Sequence, residues 1–150
     1  MKIIKRLNKT EIEGLKIGER LNKQVLFLLP EKIVWYEVLL EGNEVDNLRI
    51  INDRSWPKEF PSARTVKAIA KVILEEGVGR EHTARIKKIA ESTLKPNREP
   101  LVILLARDFK DTYTIIDGHH RLIAKFIERE IGELRAILGL FGRQKCVLVK

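Results

Sequence analysis

Five consecutive residues, Asp117, Gly118, His119, His120 and Arg121, hold most of the reactive side chains of a short stretch, "TYTIIDGHHRLIAKF". The run before them is strand-like. The run after them, with Leu122, Ile123, Phe126 and Ile127, has helical spacing. A helix starting at Gly118 leaves its first backbone N–H groups without intrahelical partners, and the helix dipole puts partial positive charge at the same end. Such a terminus attracts an anion. Glycine lets the backbone approach a ligand, Arg121 offers a planar fork suited to phosphate or carboxylate, and the two imidazoles add donors. Asp117 is the one negative charge of the cluster, in place either to reach the phosphates through Mg²⁺ or to take a proton from an attacking hydroxyl. Zinc suits the stretch less well: adjacent helical side chains point about 100° apart, and no Cys/His pair has metal-ligand spacing. The plainer alternative is a capped helix start, with Asp117 as local cap and Arg121 paired to a carboxylate.

The elements that must position these residues can be read around them. "PLVILLAR" and "TYTIID" are expected to be strands joined by the turn "DFKD", and "LRAILGL" and "CVLVK" a closing strand pair around "FGRQ". Val66, Ile69, Ala70, Ile73 and Leu74 predict a helix after Ser62 as N-cap, ending at Gly77. Ile86, Ile89, Ala90, Thr93 and Leu94 predict a second, stopping before Pro96. Upstream, Thr10 and Glu13 have capping-box spacing, and "QVLFLL", "IVWYEVLL" and "VDNLRII" read as three strands with "EGNE" as a turn. "NDRSWPKEFPSA" reads as a loop in which Trp56 is placed either to stack on a nucleobase or to pack. Trp35 and Tyr36 read as strand packing.

Length and composition set the bounds. One hundred and fifty residues suit a single domain, 1–150, without disulfides or a structural metal to hold it. A net charge of +8 favours a phosphate-bearing partner. Dense charge of both signs, with Gln24 and Gln144 the only glutamines, resembles a thermophilic composition, so part of the excess is ordinary surface. The stripes Arg64, Lys67, Lys71 and Arg85, Lys87, Lys88 read as solvated helix faces before they read as tracks for a nucleic-acid backbone. Cys146 is the only cysteine, expected to be a packed, inert strand residue in a reducing cytoplasm. No apolar run approaches the roughly 20 residues a membrane span needs, so no membrane partner is expected.

"YTIIDGHHRLIAKF" resembles the signature of the ParB/sulfiredoxin superfamily, in which a strand runs into a Gly-x-x-Arg helix start that holds nucleotide phosphates. The likeness spans about 100–140 and, more loosely, "SARTVKAIAKVILEEG", giving a core of about 62–140. It implies an α+β fold, a small mixed sheet with helices packed on it. Sulfiredoxins carry a reactive cysteine directly before the His-Arg pair; His119 stands there, which excludes their sulfinic acid reduction. Partition proteins usually have Gly-Glu-Arg-Arg, where this chain has His119 and His120 in the middle positions. Asp-Gly-His-His-Arg looks most like the free-serine kinase branch, which transfers phosphate from ADP to an amino acid hydroxyl. By that resemblance Gly118, His119, His120 and Arg121 would bind phosphate, and Asp117 with an upstream glutamate, Glu59 before Glu37, would be the catalytic carboxylates. The implied partners are ADP, ATP or CTP, Mg²⁺ and a small hydroxyl compound such as serine. The alternative is a ParB-like, DNA-associated module that senses nucleotide or grips phosphodiester without transfer.

Overall fold

The computed structural model describes residues 1–76, 81–92, 102–129 and 131–149. Within them five strands, β1 (Lys2–Arg6), β2 (Val34–Glu41), β3 (Val102–Ala106), β4 (Thr114–Asp117) and β5 (Glu133–Leu140), form one sheet in the order β1-β2-β5-β3-β4. Only β3 and β5 run parallel; the other neighbours are antiparallel. The central strands carry the core. All five residues of β3 are buried, as a strand covered on both faces requires.

Three helices are packed near β4: α6 (Val66–Glu76), α7 (Glu81–Ser92) and α8 (His119–Glu128), with α8 against both others. Their apolar stripes explain the arrangement. Val66, Ile69, Ala70 and Ile73 are buried on α6, and Leu122, Ile123 and Ala124 on α8. Leu74, expected on the same face of α6, is 60 % exposed. The helix begins later than Ser62 would place it, because the Thr65 hydroxyl accepts from Ala68 N. Ile86 is fully buried on α7; Gly77, Thr93 and Leu94 lie outside the described residues.

Before the second strand come α1 (Lys9–Leu15), α2 (Ile17–Arg20) and α3 (Lys23–Leu28), and after it α4 (Gly42–Asp46) and α5 (Ser55–Glu59). Several expected elements change type here. The capping box is Asn8 with Glu11, two residues earlier than Thr10 with Glu13, since the Asn8 side chain accepts from Glu11 N. "QVLFLL" is helical: Asn22 caps it by accepting from Val25 N, and Leu29 precedes the break at Pro30. "EGNE" opens α4, with Glu44 reaching back to Glu41 N. "VDNLRII" therefore makes no strand, only isolated bridges from Arg49 to Thr65 and Thr114. The described part of "CVLVK", residues 146–149, makes none either. Its backbone oxygens at Val147 and Leu148 accept from the side chain and backbone of Asn52, and half-buried Cys146 packs at the edge of the core. "NDRSWPKEFPSA" contains the one turn of helix α5, and "MKIIKR" supplies the edge strand β1, whose five exposed residues give no alternating signal.

Among the described residues no helix is long and apolar enough to cross a membrane.

Candidate functional site

The junction is a strand running into a helix. Asp117 ends β4, Gly118 follows with φ 96° and ψ 11°, and α8 begins at His119. A side chain at Gly118 would be strained in this left-handed conformation. The N-cap, Gly118, has no side chain with which to bond the leading N–H groups of α8. The cap expected of Asp117 in the plainer reading is not made; its carboxylate bonds only the adjoining N–H of Gly118.

The junction opens on a cavity of about 500 Å³, in the range usual for small-ligand sites. Three guanidinium groups line it from separate elements, Arg20 of α2, Arg85 of α7 and Arg121 of α8, together with the Asp117 carboxyl. Val25, Ile51, Ile89 and Ile116 supply apolar wall. Burial raises the pKa of Asp117, and Arg121, Arg20 and the Gly118 N–H only partly oppose it. Sequence reasoning missed Arg20 and treated Arg85 as surface. Neither has a local signal, because only the fold brings α2 and α7 to the junction.

The two histidines part company. His119 turns into the core, 9 % exposed, where its Nε2 accepts from Ile51 N at 3.3 Å and the ring also bonds the Ile115 backbone. Burial, with His120 adding to it, lowers its pKa to about 3, so it is a neutral brace that ties the junction to the segment after α4. His120 faces α7, with Nε2 2.8 Å from Nδ1 of His82. Burial first, then Arg85 and His82, lower its pKa to about 4. His82 in turn sits 2.9 Å from the Ser55 hydroxyl.

Trp56 is 3 % exposed and stacks on His82, ring centroids 3.8 Å apart and 8° from parallel. His119 and His120 approach it at 5.4 and 5.1 Å. It is packed at the wall of the cavity, with His82 covering one face of its ring. Glu59 is placed apart from Asp117. It lines a neighbouring cavity with Arg54, Ser55, Lys58, Glu81 and His82. Its Oε1 accepts from His82 N at 2.8 Å and its Oε2 from Thr83 N at 2.8 Å and Thr83 Oγ1 at 2.6 Å. Burial pushes its pKa up, but these donors outweigh that and hold it below the usual value. It fills the anion position at the start of α7. Glu37, the other glutamate considered, is on β2 opposite Ile137 and pairs with Arg135 at 3.6 Å.

The basic stripe on α6 is answered by carboxylates, Lys67 with Asp46 at 3.0 Å and Lys71 with Glu75 at 3.9 Å. Searches of protein-family models, curated proteins and solved structures find no match to this chain.

Proposed function

We propose that the chain binds the phosphates of a nucleotide, ADP, ATP or CTP, at the start of α8 and transfers one to a small hydroxyl compound such as serine. One observation carries this reading: three arginines and an uncapped helix N-terminus converge on a cavity that also holds a carboxyl of raised pKa. Three arginines and a helix N-terminus face the single carboxyl of Asp117, which leaves positive charge in excess for a polyanion to balance. Gly118 to Arg121 supply backbone donors, Arg121 the fork, and Arg20 and Arg85 the charge that a transferring phosphoryl group needs. The apolar wall suits the uncharged part of the ligand. The same reading proposes a ParB/sulfiredoxin-like arrangement for the α+β fold, supported by the strand, Gly118 and helix in sequence.

Among the described residues no three metal-binding side chains gather. Mg²⁺ usually takes only one or two carboxylates and completes its shell with water and phosphate oxygens, so Asp117 alone fits it. Bound there, the ion would neutralise phosphate charge. The chain's own residues orient the phosphates and exclude water from the inner wall.

Transfer of labelled phosphate from each nucleotide to a pool of hydroxyl compounds, with and without EDTA, tests the proposal. Transfer to one acceptor class, lost in EDTA, is expected. Salt-sensitive binding of duplex DNA with no transfer would instead favour the DNA-associated alternative.

A further inference from the structure

The inner wall of the cavity leads into a row of four side chains drawn from three elements. Asp53 Oδ1 lies 2.6 Å from Ser55 Oγ, which lies 2.9 Å from His82 Nε2; His82 Nδ1 lies 2.8 Å from His120 Nε2. An ionised carboxylate only accepts, and two oxygens at 2.6 Å without a proton between them would repel. The Ser55 hydroxyl therefore donates to Asp53. Its oxygen must accept from His82 Nε2, and a neutral His82 then keeps a lone pair on Nδ1. His120 must then donate from Nε2, which leaves a lone pair on its own Nδ1. With both rings neutral, one acceptor-only group at the end of the row thus fixes every proton in it, and all donors point towards Asp53.

We propose that His120, Asp53, Ser55 and His82 form a directed proton relay in which His120 Nδ1 takes the proton of the acceptor hydroxyl and Asp53 receives one at the far end. The inference rests on the phosphoryl-transfer reading above. As the acceptor oxygen bonds to phosphorus, the bond from phosphorus to the leaving phosphate oxygen breaks and its electron pair leaves with that oxygen. The acceptor's proton goes to His120 Nδ1. The Nε2 proton of His120 passes to His82 Nδ1, the Nε2 proton of His82 to Ser55 Oγ, and the Ser55 proton to Asp53 Oδ1. No imidazolium has to persist among Arg85, Arg20 and Arg121, because the charge moves on to the exposed Asp53. Asp117 is left for the phosphates. Trp56, flat against His82, holds the middle ring in line. His120 is the catalytic group; His82, Ser55 and Asp53 are positioning residues.

Nitrogen-15 shifts of the imidazoles read the tautomers directly, with no ligand present. Both His82 and His120 are expected neutral with the proton on Nε2, and a proton on His82 Nδ1 overturns the relay whatever the nucleotide result. In the labelled-phosphate assay His120→Gln should lower kcat by about 10²–10⁴-fold with KM little changed, the range of general-base contributions. Ser55→Ala, at an exposed position, keeps the fold and the nucleotide affinity but cuts the row; its rate in mixed H₂O/D₂O should depend linearly on deuterium content where the wild type curves. Unchanged rates in both variants, in protein that calorimetry shows to bind ATP, ADP or CTP, overturn the catalytic role. If the wild type binds none of the three, the nucleotide reading fails, and the tautomers still decide whether the relay is built.

Discussion

At the scale of single residues, adjacent histidines have opposite duties. About 100° of helical rotation separates neighbouring side chains, so once Gly118 starts the helix one imidazole must face inward when the other faces α7. His119 and His120 do so, and both are held neutral by burial, at about 3 and about 4. An unfolded histidine titrates near 6.5. Stability from this pair is therefore complete above that value and falls as the pH drops towards 4, where the unfolded chain binds protons the native one refuses. Urea unfolding followed from pH 7 to 4 should show uptake of close to two protons near pH 5; a flat profile would mean that neither ring is buried as described. Asp117 has the reverse sign. Its raised pKa means that the charged form costs stability above that pKa and the cost is relieved on acidification. Asp117→Asn should hold or raise the apo melting temperature at neutral pH while abolishing transfer. A marked fall in melting temperature would make Asp117 a structural partner of Arg121 instead.

At the scale of elements, β3, β4, the period of α6 and α7, and the start of α8 were legible because each has a long or sharply bounded pattern. The first half was less so. "QVLFLL" is rich in residues that suit either state, and only Val25 of α3 is buried, so no face marks it as helix. "VDNLRII" fails as a strand because the capping pair Glu41 and Glu44 turns the chain first. Glu59, expected in a loop, ends α5 and bonds the start of α7, which begins 22 residues later in sequence at Glu81. Glu59→Ala should cost about 1–3 kcal/mol, the scale of losing hydrogen bonds to a charged acceptor, measured by urea unfolding. Unchanged stability with lost turnover would make it a catalytic base after all.

At the scale of the whole molecule, the positive balance has two components that composition could not separate. Lys67 and Lys71 are paired on an outer helix face, whereas Arg20, Arg85 and Arg121 come together only through the packing of α2, α7 and α8 around the end of β4. Long-range contacts of that kind, like the one from His82 to His120, leave no trace in sequence spacing. They give the proposed phosphate site its positive charge whichever nucleotide is offered. The most direct test is calorimetric titration of ATP, ADP and CTP into wild type, Arg121→Ala and Arg121→Lys, with apo melting temperatures measured alongside. Arg121→Ala should weaken binding by about 1.5–3 kcal/mol, the worth of hydrogen bonds to charged groups, and Arg121→Lys should recover little of it, because a point charge lacks the planar fork. Apo stability should hold or rise as the crowding of cations at the helix start is relieved. A sharp fall in apo stability with nucleotide affinity unchanged would contradict the anion site.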